Sequence, residues 1–210
     1  MTRLIVWRHG NTDWNASGRV QGQTDIGLND LGREQAGAAA QLLTGFHPDA
    51  IFASDLRRAA DTAAALAALT GLPVHTDVRL RERHFGPWQG LRLTEAAEQY
   101  PDEYARWRAG DPDPGAGIET LDDVGKRLGV AFQEAADTVA GGTVVVATHA
   151  GAARQGIGQL LGWEPAVLRT IDSLRNCHWT ELWHDELRGW RLRAHNIGPR
   201  YDVDSIGSHR

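Results

Sequence analysis

An α/β fold, a three-layer α/β/α sandwich with a mostly parallel central sheet and one antiparallel C-terminal strand region, is predicted by three features of the sequence. Short Val/Ile/Leu-rich runs alternate with Ala-rich segments of helical period along most of the chain. The runs at residues 4–7 and 143–147 lack polar alternation, which marks strands buried on both faces. Near the C-terminus, residues 179–183 and 190–194 flank the turn-forming stretch 185–189 and read as an antiparallel pair. The 210 residues suit one domain, 1–210, with a sizeable core.

Each element has a local reason. The first strand, residues 4–7, stops at Arg8, His9 and Gly10, so polar groups stand at the carboxyl end of a buried strand, where open α/β sheets place their sites. Residues 29–43 begin with Asn29, a helix-capping residue, and continue through an Ala-rich stretch to Leu42 and Leu43. Residues 50–53 form the next strand. Ser54 and Asp55 are the expected caps of a helix that runs through Arg57, Arg58 and Leu66 to a stop at Gly71. Pro73 opens another extended piece. Residues 93–108 are helical with a break at Pro101, and 111–117 form a Pro/Gly-rich loop, read as insertions rather than a domain boundary. A long helix over 119–139, a Val-rich strand over 143–147 and a helix over 150–161 follow, the last starting directly after His149. Residues 206–210 read as a frayed tail.

Composition excludes several classes. The chain is 41% hydrophobic and 23% charged, and no run is long and apolar enough to cross a bilayer. A formal charge of -5 argues against general nucleic-acid binding. Cys177 is the only cysteine, so no intrachain disulfide forms and a reducing compartment is compatible. The first residues read as a strand rather than a signal segment, and a cytoplasmic location is expected.

The sharpest feature is Arg8-His9-Gly10-Asn11-Thr12, followed by Asn15, Arg19, Gln21 and Gly22. Phosphoryl transfer needs an in-line nucleophile and positive charge around three equatorial oxygens. A neutral imidazole at His9 supplies the first, with one nitrogen free while the other donates to a nearby carbonyl. Gly10 has no side chain to obstruct an ester. Arg8 and Arg58 offer planar forks that stay charged at any working pH. His149, at a strand end before a helix, and the amides that follow it face the same anion. Glu82 is the candidate general acid, which in its ionised form would deprotonate an attacking water.

These residues resemble the histidine phosphatase superfamily, which includes the cofactor-dependent phosphoglycerate mutases. The likeness extends to residues 28–36, Ser54-Asp55-Leu56-Arg57-Arg58-Ala59, Leu80-Arg81-Glu82 with Gly86-Pro87-Trp88-Gln89-Gly90, and Thr148-His149, in the order the family uses. The resemblance implies that Arg8, His9, Arg58, Glu82 and His149 are catalytic, with Asn15 a further donor to phosphate. It implies a phosphatase acting on a small phosphate monoester through phospho-His9, without metal or cofactor. The run Asn176-Cys177-His178-Trp179-Thr180-Glu181-Leu182 and Arg83-His84-Phe85-Gly86 are similar to actinobacterial glucosyl-3-phosphoglycerate phosphatases, and a broad-specificity sugar phosphatase is the neighbouring reading.

Around this set, Gln21, Gln23 and Thr24 are expected to contact the ester or its leaving group, and the amide of Ala150 to donate to phosphate. Two departures from the family pattern stand at Ala150, where glycine is common, and at Gly117-Ile118-Glu119-Thr120. His84 either lines the entrance or is a satisfied loop histidine. Arg57 is read as surface. Trp88 and Trp107 are candidate walls of the cleft. His178, His184 and His195 show no metal-ligand spacing, and Gly156-Ile157-Gly158 reads as close packing. A mutase is the alternative activity, opposed by the lack of any lysine between Glu82 and Lys126. A non-catalytic phosphate-binding module is the other alternative. The partners expected are a small phosphate ester and, as an assembly the sequence allows, a second copy in a homodimer, with neither nucleic acid nor membrane.

Overall fold

The computed structural model describes residues 1–199. The tail expected at 206–210 lies outside them. One six-stranded mixed sheet forms the middle layer, with β1 (Thr2–Arg8), β2 (Ala50–Ala53), β3 (Val74–Thr76), β4 (Thr143–Thr148), β5 (Trp179–Asp185) and β6 (Gly189–Ile197) in the order β3-β2-β4-β1-β5-β6. The first four are mutually parallel, whereas β5 runs antiparallel to β1 and to β6.

Alternation along β1 divides the core. Leu4 and Val6 pack with Val144 and Val146 against Leu128, Phe132 and Ile157, while Ile5 and Trp7 pack with Val145 and Ala147 against Ala39, Leu43 and Leu66. One face is therefore covered by α6 (Leu121–Asp137) and α7 (Ala150–Leu161), and the other by α2 (Asp30–Thr44) and α3 (Arg57–Thr70). A short α1 (Asp13–Ala16) follows β1, and α8 (Pro165–Leu168) follows α7. Glycine sets the closeness of the α6–α7 pair, because a Cβ on Gly156 would come within 2.6 Å of both Leu128 and Phe132.

A third cluster caps the carboxyl end of the sheet. There α4 (Leu93–Gln99) and α5 (Pro101–Arg108), divided at Pro101 as expected, gather Tyr104 and Trp107 around the fully buried Trp88. The Trp88 and Trp107 rings are 5.9 Å apart at 77°. The insertion thus packs on the strand ends as a wall.

Three local expectations are corrected. Neither Ser54 nor Asp55 caps α3 at its first residue. The Arg57 amide donates to Asp25 Oδ1 at 2.8 Å, and Asp55 instead takes the Arg81 guanidinium through a 2.8 Å bond to Nε. Helix α6 starts at Leu121 rather than at residue 119, because Thr120 is its cap and accepts from the Asp123 amide at 3.1 Å. Gly10 is required by packing, not by access for an ester, because a Cβ there would run into the Gly32 carbonyl in the first turn of α2.

Candidate active site

Strands β1 and β4 pair in parallel with Arg8 opposite Thr148, so the next residues, His9 and His149, leave the sheet side by side. The His9 amide donates to the Thr148 carbonyl at 3.0 Å, and the two rings lie 5.2 Å apart at 59°. Both rings are buried. Their partners assign their tautomers. His9 Nδ1 lies 2.7 Å from the Gly10 carbonyl, which only accepts, so Nδ1 carries the hydrogen and Nε2 keeps a lone pair. His149 Nδ1 lies 3.2 Å from Arg58 Nε, which only donates, so the hydrogen sits on Nε2. That Nε2 is buried without a protein partner.

Both rings are held neutral. Burial pushes the pKa of His9 well below the usual histidine value, helped by Arg58 and Arg8 and opposed by the Gly10 carbonyl. His149 is lowered in the same direction, first by burial and then by Arg58 and its other cationic neighbours.

The arginines are fixed by backbone carbonyls. Arg8 Nη1 donates to Leu174 O at 2.6 Å, and its Nε is buried without a protein partner. Arg58 is completely buried and donates through Nη1 to Thr24 O at 2.8 Å and through Nη2 to Gly22 O at 2.7 Å. Each terminal nitrogen carries two hydrogens, so one on each remains for a ligand. Burial is the main cause that pushes Arg58 down to about 10, which leaves it charged at neutral pH. Arg57 lies outside the site and pairs with Asp25 at the surface.

Glu82 is held by main-chain donors. Its Oε1 accepts from the Arg83 and Ala152 amides, each at 2.8 Å, and Oε2 from the Gly151 amide at 3.1 Å. Neither flanking arginine pairs with it: Arg81 goes to Asp55, and Arg83 to the carbonyls of Glu119 and Pro112. The expectation that the first amides of α7 face a phosphate is therefore revised, since those of Gly151 and Ala152 hold the carboxylate of Glu82 in the structure.

A cavity of about 250 Å³ opens over these groups, with Arg8, His9, Asn15, Gln21, Arg58 and Glu82 on its wall together with Arg19, Phe85, Leu93 and Trp107. His149 lies behind that wall, fully buried. Asn15 Oδ1 accepts from the Thr12 amide at 3.2 Å, and Gln21 Oε1 lies 3.1 Å from Thr12 Oγ1. Four other candidates are not on the wall. Gln23 Nε2 donates to Glu82 O at 3.1 Å, and Thr24 contributes its carbonyl to Arg58. His84 is exposed, with Nδ1 accepting from the Gly86 amide at 3.1 Å, and Ala150 is the first residue of α7. Trp88 is core and only Trp107 reaches the cavity. A larger groove of about 910 Å³ beside Met1, Trp183 and Arg191 contains none of the candidate residues and lies by the opposite ends of the strands. Among the described residues no group of three or more His, Cys, Asp or Glu is placed to hold a metal, and no helix is long and apolar enough to cross a membrane.

The family model described as histidine phosphatase superfamily (branch 1) matches residues 4–198. The chain belongs to that superfamily. This histidine phosphatase is 37% identical over 220 residues to the glucosyl-3-phosphoglycerate phosphatase of Mycobacterium tuberculosis (strain H37Rv), with 97% of this chain and 98% of the other aligned. It is 40% identical over 159 residues to the metal-independent phosphoserine phosphatase of Arabidopsis thaliana, covering 73% of this chain and 66% of that protein. A solved structure of mycobacterial glucosyl-3-phosphoglycerate phosphatase in complex with VO3 superposes with a TM-score of 0.87 at 37% identity, over 94% of this chain and 100% of the other. The family and these relatives make it a phosphoric monoester hydrolase.

Three residues of this histidine phosphatase, to none of which the sequence assigned a role, tie together the segments around the cavity. Arg127, in the middle of α6, donates to the carbonyls of Arg79 (2.7 Å), Arg81 (2.5 Å) and Glu82 (3.0 Å) and pairs with Glu119, so it fixes the segment that carries Glu82. Gln89 Oε1 accepts from the Gln23 amide at 2.8 Å and ties the two loops beside the cavity. Asn176 Nδ2 donates to the carbonyl of His9 at 3.0 Å. Its only sequence signal was its place in the Asn176–Leu182 similarity, whereas Arg127 had none.

Proposed function

We propose that this chain hydrolyses a small phosphate monoester in two steps through a phosphohistidine on His9, with glucosyl-3-phosphoglycerate, or a wider range of sugar phosphates, as substrate. The observation that carries the reading is the hydrogen bond from His9 Nδ1 to the Gly10 carbonyl, which leaves a neutral ring with its lone pair on Nε2.

In the first step Nε2 attacks phosphorus, the N–P bond forms and the P–O bond to the alcohol breaks. Glu82, entering as the carboxylic acid, gives its proton to the departing oxygen. The N–H groups left over on Arg8 and Arg58 and the Nε2–H of His149 balance charge on the phosphoryl oxygens. Once phosphorylated, His9 is a cation whose Nδ1–H remains on Gly10 O. In the second step the carboxylate of Glu82 takes a proton from water, the new P–O bond forms, the N–P bond breaks and inorganic phosphate leaves with the ring neutral again. Asn15 and Gln21 act as side-chain contacts to the phosphate. No step draws on a metal or cofactor.

The substrate range follows from two supports. One is the identity with relatives named for glucosyl-3-phosphoglycerate. The other is the lining of the cavity, where Phe85, Leu93 and Trp107 offer apolar faces for the carbon skeleton of a sugar and Arg19 a cation for an acid group.

Rapid quench with 32P-labelled glucosyl-3-phosphoglycerate tests the reading. Acid-labile, alkali-stable label on the peptide containing His9, absent in His9→Ala, is the expected result, with a rate unchanged by EDTA. Turnover without phosphoprotein, dependence on an added divalent ion, or isomerisation of phosphoglycerates without phosphate release would each overturn it.

A further inference from the structure

The segment between α8 and β5 approaches the site from the opposite edge of β1. It has already supplied one fixed contact, the Leu174 carbonyl that holds Arg8. Two residues later Asn176 turns its carboxamide inwards, with Nδ2 3.0 Å from the His9 carbonyl and 3.4 Å from Asn15 Oδ1. Cys177 follows in a left-handed backbone conformation (φ 56°), and its amide donates to the carbonyls of Arg8 at 3.1 Å and His9 at 3.3 Å. Asn176 is not among the residues that line the cavity, but it touches two that are, His9 and Asn15, so its effect on the site runs through them.

From these contacts we infer that Asn176 is the positioning residue of the phosphoryl site, aiming the His9 ring and fixing which side of the Asn15 amide meets phosphate. The inference rests on the phosphohistidine reading above. Two physical links support it.

The first link is the peptide plane between His9 and Gly10. Its carbonyl end is held by Asn176 Nδ2 and the Cys177 amide, and its N–H end donates to Thr62 Oγ1 at 3.1 Å. With both ends clamped, the next carbonyl, that of Gly10, is delivered to His9 Nδ1. That bond selects the tautomer and the direction of Nε2. Without Asn176 the carbonyl end keeps only the longer contact from the Cys177 amide, which is shared with the Arg8 carbonyl, so the plane can turn and the ring swing, and a misplacement of about 1 Å is worth about 10²-fold in rate.

The second link is the Asn15 amide. The Thr12 amide can only donate, so the Asn15 atom 3.2 Å away is the oxygen, and Asn176 adds a longer donor contact to the same atom. With its oxygen engaged on the protein side, Asn15 presents NH₂ to an anion. A carboxylate at position 176 would have no hydrogen for either acceptor and would favour the reverse orientation.

Two variants of the full chain test this. Asn176→Ala removes the carboxamide, and Asn176→Asp keeps its shape and abolishes both donor hydrogens. The readouts are the single-turnover rate of phospho-His9 formation from p-nitrophenyl phosphate, the calorimetric affinity for inorganic phosphate, and the thermal midpoint. Both variants are expected to slow phosphorylation about 10²-fold and to weaken phosphate binding about tenfold, with midpoints within a few degrees of the wild type. A role in packing alone predicts that Asn176→Asp behaves as the wild type in rate and affinity. That outcome overturns the inference, as do losses in both variants that match only the fraction unfolded by circular dichroism. A wild-type protein that turns over without phospho-His9 overturns the phosphohistidine reading instead, and the phosphate titration then decides the Asn15 link by itself.

Discussion

His9 and His149 stand at the ends of neighbouring parallel strands, both buried and both neutral, yet they present opposite chemistry at Nε2. The carbonyl beside His9 takes a hydrogen from Nδ1 and leaves Nε2 nucleophilic. The guanidinium beside His149 gives a hydrogen to Nδ1 and leaves Nε2 a donor. Burial accounts for the neutrality of both, and the single partner at Nδ1 accounts for the difference. The pair teaches that the role of a histidine at a strand end is set by the neighbour behind the ring rather than by the sheet that delivers it.

The largest break in this comparison is His9→Ala, which removes the lone pair at Nε2 of His9. Turnover is expected to fall by about 10⁴-fold or more in a phosphate-release assay, with phosphate still bound by the arginines. His149→Phe keeps the ring shape and removes the donor, and kcat is expected to fall about 10²- to 10³-fold with the His9 tautomer unchanged. Arg58→Lys sharpens the comparison, since it keeps a cation and loses the Nε–H that fixes His149. A fall of about 10²-fold in kcat is expected, together with a mixed His149 tautomer in ring ¹⁵N spectra.

The smallest effect is on stability. Both rings have pKa values lowered by folding, so below about 6.5 the unfolded chain binds protons that the folded chain does not. Stability should therefore fall as pH drops from 7 to 5, by up to about 1.4 kcal/mol per pH unit for each ring, and should be flat above that window. His178, lowered by burial in the same direction, adds to the slope. Urea midpoints measured across the range should lose one ring's share of the slope in His149→Phe. The lowered carboxyl of Asp55, paired with Arg81, acts only at more acid pH.

Much of this architecture was legible because it rests on local order. The apolar run ending at Arg8 placed the His9 ring at a strand end, Asn29 marked the start of α2, Gly71 its neighbour's end, and the Val-rich run before His149 placed the second ring. What was hidden depends on residues far apart in sequence. Asp55 reads as a helix cap until Arg81 takes it, and α3 is capped instead by Asp25 from 32 positions upstream. The first amides of α7 read as a phosphate cradle until Glu82 occupies two of them. Arg127 and Asn176 act by donating to backbone carbonyls 45 and 167 positions away, and such bonds leave no spacing to read because every residue has a carbonyl.

Ring ¹⁵N–¹H correlation spectra of the histidine-labelled protein at neutral pH, assigned with His9→Ala and His149→Phe, test the central claim most directly. The expected spectrum contains one ring with hydrogen on Nδ1 alone, lost in His9→Ala, and one with hydrogen on Nε2 alone, lost in His149→Phe. The same tautomer in both rings, or an imidazolium in either, would contradict it.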